Sequence, residues 1–341
     1  MQYKLLGRSG LKVSEICLGT MGFGQANHWG ISQKESFEIL DSFGKAGGNF
    51  LDTANRYQDG QTEEVIGHYL QSGIDRDYWV VATKYSLQDN HTNPNASGNN
   101  RKNMMRSVEN SLRRLQTEFI DVLYLHIWDA LTPMDEVLRG LDDLVKQGKI
   151  NYIAISDTPA WVVSQGQTLA ELMGWSRFAS LQVEYSLLQR TPERELIPMA
   201  KHFGMTVTPW APLAGGALTG KYLRNDPGRI KEGSNRLNER AQGITKEVVS
   251  IAEELGIPAA NVALQWTRQQ GFHCIPIVGA TKLKQLEENL EIVNLCLTNE
   301  HMNRLNDISK IELGFPGAFF EEEGVKENNF GGFYDRVEKR K

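Results

Sequence analysis

Eight short apolar runs, each followed by a segment with helical spacing, constrain this chain more than anything else in it. The runs are Glu15–Gly19 (EICLG), Asn49–Asp52 (NFLD), Trp79–Lys84 (WVVATK), Asp121–His126 (DVLYLH), Tyr152–Ser156 (YIAIS), Ser180–Tyr185 (SLQVEY), Thr206–Trp210 (TVTPW) and Cys274–Val278 (CIPIV). Runs of this length, apolar on both faces, suit parallel strands covered by helices. The intervening helical patterns are Ser32–Lys45, Thr62–Gln71, Asn103–Leu115, Pro133–Lys146, Trp161–Met173, Arg194–His202, Thr245–Leu255 and Leu283–Val293. Eight such units between residues 15 and 293 predict an α/β fold, a closed (β/α)8 TIM barrel. An open dinucleotide-binding sheet would need GxGxxG after its first strand. Gly19-Thr20-Met21-Gly22-Phe23-Gly24 has the wrong glycine spacing.

Tyr3–Val13, centred on Gly7-Arg8-Ser9-Gly10, reads as an N-terminal β-hairpin able to plug the barrel's lower end. Two long insertions, Tyr85–Asn100 and Leu213–Gln242, directly follow strands and so belong at the C-terminal mouth. A tail of about 313–341, rich in Gly, Glu and Phe, is expected over that mouth as well. With no internal repeat and no low-complexity linker, residues 1–341 are expected to form a single barrel domain.

Composition narrows the function. The chain carries 37 Lys+Arg against 42 Asp+Glu, with no basic patch, so neither nucleic acid nor an anionic membrane is expected as a partner. Cys17, Cys274 and Cys296 are scattered without metal-ligand spacing, and no metal site is expected. The N-terminal stretch lacks a continuous apolar core of the signal-peptide kind, and a cytoplasmic protein is the expectation.

The polar residues at strand ends carry the chemistry. Asp52 ends the second run, Tyr57 follows five residues later, Lys84 ends the third run and His126 ends the fourth. Neighbouring strands of a barrel bring these four to one mouth. A phenol has a reference pKa of about 10, and an adjacent ammonium is expected to lower it. Asp52 would keep Lys84 charged, Tyr57 would give a proton to a carbonyl oxygen, and His126 would hydrogen-bond that oxygen. This is a set for adding hydride to C=O, and hydride requires a cofactor.

Leu51-Asp52-Thr53-Ala54-Asn55-Arg56-Tyr57, followed by Glu63 and Gly67, resembles the signature of the aldo-keto reductase family. The resemblance spans most of the chain, and Asn99–Met104 with Asp121–Asp129 most resemble the aryl-alcohol dehydrogenase-type branch. It implies a catalytic tetrad of Asp52, Tyr57, Lys84 and His126, with NADP(H), or NAD(H), bound at the mouth. Ser156, Asp157 and Gln182 match the carboxamide-binding positions, with Asp157 where Asn is commoner. Trp210 matches the ring that stacks on the nicotinamide. Ala211, Leu213, Gly215 and Lys221 match the pyrophosphate wrap, and Gly279, Thr281, Lys282, Gln285, Glu288 and Asn289 the adenosine end. Relatives often carry Arg where Thr281 stands, so Lys282 is the cation expected to meet a 2′-phosphate. Phe23, Trp29, Tyr85 and Trp128 follow strand ends and are candidates for an aromatic substrate pocket.

The same residues bear on other chemistry. Gly215–Lys221 nearly spells a nucleotide-binding GxxxxGK loop, but Tyr222 replaces the Ser or Thr that would hold Mg²⁺. A Lys84 Schiff base would need a neutral amine, which Asp52 opposes. The resemblance also extends to regulatory channel β-subunits, giving a non-enzymatic cofactor-binding role as the alternative to a reductase of small-molecule carbonyls.

Overall fold

The computed structural model describes residues 1–231 and 233–338. Glu232, within the second insertion, and the last three residues of the tail lie outside that description. The hairpin is present as β1 (Tyr3–Leu5) and β2 (Lys12–Ser14), paired antiparallel. Eight strands then form one parallel sheet: β3 (Cys17–Gly19), β4 (Phe50–Asp52), β5 (Val80–Tyr85), β6 (Ile120–Leu125), β7 (Ile150–Ser156), β8 (Phe178–Glu184), β9 (Thr206–Trp210) and β10 (Ile277–Gly279). Pairing runs in sequence order from β3 to β9, with β10 beside β3. Closure comes just before β10, where Val207 N donates to His273 O at 2.8 Å and Ile275 N to Val207 O at 2.9 Å. The eighth run was expected at Cys274–Val278. It registers as a strand only from Ile277, because Pro276 has no N–H for the ladder.

Helices α1 (Gln33–Lys45), α2 (Gln61–Leu70), α3 (Arg101–Leu115), α4 (Met134–Lys146), α5 (Ala160–Met173), α6 (Leu196–Phe203), α7 (Glu239–Leu255) and α9 (Leu283–Leu290) follow the expected segments. Their starts are chemically marked. Ser32 and Glu35 form a reciprocal capping box on α1, and Asn100 and Asn238 accept from the backbone at the starts of α3 and α7. Before the tail, two of the described helices lie outside the expected pattern: α8 (Ala259–Arg268) and α10 (Asn299–Ser309). The α8 segment begins one residue after Pro258, and its apolar positions Val262, Leu264 and Trp266 are fully buried. Among the described residues no helix is long and apolar enough to cross a membrane.

Alternation along each strand divides the core in two. Leu51, Val81, Tyr85, Leu123, Leu125, Ile153, Ile155, Leu181 and Val183 face the helices. Phe50, Val80, Ala82, Val122, Tyr124 and Ala154 face the axis, where Leu6 and Val13 from the hairpin join them. Burying each large apolar side chain contributes about 1.5–3 kcal/mol before conformational entropy is counted. The hairpin is tied down by Gly7 N donating to Thr206 Oγ1 at 2.7 Å and Lys4 Nζ to Cys274 O at 2.9 Å.

Past Glu312, whose carbonyl accepts from Arg194, the tail forms α11 (Gly317–Glu321) and α12 (Glu323–Phe330). Expected over the mouth, the tail as far as Glu338 contributes none of the residues that wall the mouth cavity.

Candidate active site

The same parity that fills the barrel carries polar residues to its upper rim. Continuing the inward series by one step gives Asp52 after Phe50, Lys84 after Ala82, His126 after Tyr124, Ser156 after Ala154 and Gln182 after Ser180. Register then levels them, with Asp52 opposite Ala82, Lys84 opposite Tyr124 and Ser156 opposite Gln182. Tyr57 reaches the same point from a short 3-10 turn, Tyr57–Gly60, after β4.

Lys84 is fully buried and its ammonium meets three acceptors: Asp52 Oδ2 at 2.8 Å, Thr53 O at 2.8 Å and Tyr57 Oη at 3.0 Å. The other Asp52 oxygen accepts from Gln182 Nε2 at 2.9 Å. Burial alone would lower the Lys84 pKa, but Asp52 and Tyr57 outweigh it and hold the ammonium above its ordinary value. A charged amine with all three protons engaged is no Schiff-base nucleophile.

Tyr57 departs from expectation. Burial of its hydroxyl, the largest influence, pushes its pKa up, and the downward pull of Lys84 is partly cancelled by Asp52. The near-neutral Lys84–Asp52 pair cannot repay the lost hydration of a phenolate, so Tyr57 is held protonated. Because Lys84 donates to the Tyr57 oxygen, the phenol's own proton remains to be given elsewhere. The His126 ring meets Tyr57 edge-on, with centroids 6.1 Å apart. Burial and then the Lys84 charge push His126 down to about 3, so its imidazole is neutral and carries a single N–H.

Asp52, Tyr57 and His126 floor a cavity of about 1760 Å³ that runs to the start of α9, while Lys84 stays fully buried and does not line it. Its wall includes Ser156, Asp157, Gln182, Trp210, Ala211, Leu213, Gly215 and Lys221, all expected there. At the far end stand Gly279, Thr281, Gln285, Glu288 and Asn289. Asp157 and Ala211 sit at φ 40° and 50°, a left-handed backbone that β-carbon-bearing residues adopt at a cost of about 1–2 kcal/mol. Trp210 Nε1 donates to Asp157 Oδ1 at 3.1 Å. Several buried polar atoms cluster at this rim without a partner: Thr53 Oγ1, both amide atoms of Asn55, His126 Nδ1 and Ser156 Oγ.

Four expected residues stand elsewhere. Lys282 is the N-cap residue of α9 and does not line the cavity. Phe23 and Tyr85 are buried in the outer core, and Trp128 packs against that core. Tyr85 follows Lys84 by one residue, so if Lys84 points inward the pleat turns Tyr85 toward the helices. Trp29, by contrast, is 43% exposed and lines the cavity together with the exposed Met21. The cations missed from the sequence are Arg224, Arg229, Lys231 and Arg236, which line the cavity from the insertion after β9. Their signal was a cluster of basic residues in a loop leaving a strand's C-terminal end. The 214–219 segment forms 3-10 turns rather than a phosphate loop opening a helix. Among the described residues no cluster of His, Cys, Asp and Glu could hold a metal ion.

A profile described as the aldo/keto reductase family matches residues 15–310. The chain is similar to an aryl-alcohol dehydrogenase [NADP(+)] of Phanerodontia chrysosporium, 39% identical over 91% of this chain and 86% of that protein. It is also similar to norsolorinic acid reductase A of Aspergillus parasiticus, 35% identical over 92% of this chain and 82% of that protein. An aryl-alcohol dehydrogenase of Pestalotiopsis microspora is 35% identical over 93% of this chain and 85% of that protein.

Proposed function

The chain belongs to the aldo/keto reductase family, and from that premise we propose that it reduces aryl aldehydes or ketones to alcohols, or runs the reverse, with Tyr57 as general acid/base and NADP(H) as cofactor. The observation that carries the reading is the Asp52–Lys84–Tyr57 chain of contacts at 2.8 and 3.0 Å, whose Asp52 and Tyr57 ends line the cavity floor.

The wall suits such a cofactor. Ser156 Oγ is a buried hydroxyl without a partner, as a group awaiting a carboxamide would be. Gln182 spends its N–H on Asp52, so its carbonyl oxygen is the end for a carboxamide N–H. Trp210 offers a ring face, and Ala211, Leu213, Gly215 and Lys221 would hold the pyrophosphate, with Arg229 and Lys231 adding positive charge. Thr281, Gln285, Glu288 and Asn289 would meet the adenosine end at the start of α9. When bound, the cofactor supplies or accepts hydride.

The chain's own part is proton handling. A substrate carbonyl oxygen accepts hydrogen bonds from Tyr57 Oη–H and the neutral His126 N–H. As that oxygen gains charge it takes the Tyr57 proton. The phenolate left behind is stabilised by Lys84, whose charge Asp52 holds in place. Alcohol oxidation reverses each move. Trp29 and Met21 give the entrance an apolar wall suited to an aryl group.

Tyr57→Phe keeps the ring and removes the acid. Turnover of an aryl aldehyde with NADPH should fall by about 10²–10⁴-fold or more, while fluorescence titration still detects NADPH binding. Full turnover in that variant would sink the assignment.

A further inference from the structure

Asp157 puts a carboxylate where a neutral amide would satisfy the same wall, and its surroundings leave that charge largely unspent. Lys84, the nearest strand-borne cation, is engaged by Asp52. Glu184, the other acid close by, is paired with Arg236. Asp157 accepts from the uncharged indole N–H of Trp210 at 3.1 Å, and the neighbouring Ser156 hydroxyl, also uncharged, acts on it in the same sense. That bond fixes one carboxylate oxygen, and the residue is exposed to the cavity rather than folded away. Asp157 is also close enough to Tyr57 to act on its phenol electrostatically. A ring that exchanges hydride with a carbon whose oxygen rests on Tyr57 therefore lies within the field of Asp157.

The nicotinamide ring carries one positive charge when oxidised and none when reduced. A fixed negative charge attracts the first and is indifferent to the second, and at an effective dielectric near 20 this attraction over several ångströms amounts to roughly tenfold or more in affinity. We infer that Asp157, aimed by Trp210, makes this site bind the oxidised cofactor more tightly than the reduced one. The inference rests on the function proposed above and adds to it a preference between the two forms of the cofactor. Partial enclosure in the wall raises the Asp157 pKa, opposed by the Trp210 N–H and the Lys84 charge, so the preference is fullest at mildly alkaline pH, where the carboxyl is ionised.

The test is direct titration of the whole protein with NADP⁺ and with NADPH at mildly alkaline pH, without substrate. In Asp157→Asn the ratio Kd(NADP⁺)/Kd(NADPH) should rise about tenfold, mainly through weaker NADP⁺ binding. Asp157→Ser, which removes the charge with a smaller side chain, should shift the ratio the same way and serves if the first variant folds poorly. A ratio unchanged in both variants, or both affinities falling together, overturns the inference while leaving the proposed function standing. Failure of the unmodified protein to bind either form overturns both.

Discussion

At the floor of the barrel, Gly7 N–H, Thr206 Oγ1 and His273 Nδ1 are joined at 2.7 and 3.1 Å. At its mouth, Thr53 Oγ1, the Asn55 amide, His126 Nδ1 and Ser156 Oγ are buried with no partner in the protein. The backbone differs in the same sense. The turns after α5 and α6 use Gly174 and Gly204 for their left-handed residues, whereas the mouth puts Asp157, Ala211 and Ala214 in that conformation. Each unpartnered buried polar atom costs about 1–3 kcal/mol, and each left-handed β-carbon-bearing residue about 1–2 kcal/mol. The contrast is one of degree: below, Gln116 after α3 also sits at φ 51° and Arg268 Nε is buried without a partner, while above His126 and Ser156 turn unpartnered atoms to the cavity that a ligand would fill. Stability is concentrated at the first end and chemistry at the second.

Substitutions can break that contrast. The largest effect is expected at the floor. A Cβ on Gly7, at φ 57°, would lie 2.1 Å from Ala179 O, so Gly7→Ala should lower unfolding free energy by about 3 kcal/mol in chemical denaturation. Turnover of the folded fraction should be unchanged, and a loss of kcat without a loss of stability would dissolve the division between the two ends.

His126 gives the mouth its own stability signature. Its folded pKa of about 3 lies below the unfolded value of about 6.5, so the unfolded chain binds the extra proton between them. The neutral imidazole's contribution is complete above about pH 6.5 and is lost as pH falls toward 3, with a slope of at most about 1.4 kcal/mol per pH unit. Carboxylates add their own acid sensitivity, so the measurement is a difference. Stability against pH in His126→Asn should be shallower through this window than in the parent, and parallel curves would show that the imidazole is not neutral in the fold.

The smallest effects should have opposite signs. Ala211→Gly relieves a strained φ of 50° and should raise stability by about 0.5 kcal/mol after the added unfolded-state entropy, at a cost in cofactor affinity. Gly204→Ala imposes the same strain at φ 65° and should lower stability by about 1 kcal/mol with affinity untouched. Equal signs in thermal melts would mean that the mouth is no more strained than the floor.

Much of the site was legible because strand ends announce themselves. An apolar run that stops at Asp52, Lys84 or His126 identifies both a place in the barrel and a chemistry, and parity does the rest. Tyr85 was misassigned to the pocket, although the pleat turns it away from the axis once Lys84 is inward. Arg224, Arg229, Lys231 and Arg236 were not legible, because loop residues have no period to say which way they face. The Trp210–Asp157 hydrogen bond joins positions 53 residues apart and has no signature along the chain.

What the chain's own order of residues settles is periodic: eight alternations, the inward parity of each strand, and the end at which an ionisable group stands. Those follow from local geometry, since side chains alternate every residue on a strand and the connection handedness is set. The balance of charge is not local. That Tyr57 stays protonated despite its neighbouring ammonium, that His126 is neutral, and that Asp157 is left uncompensated depend on how much water the fold removes and which opposite charge it brings close. Desolvation and through-space Coulomb energy are properties of the assembled barrel alone.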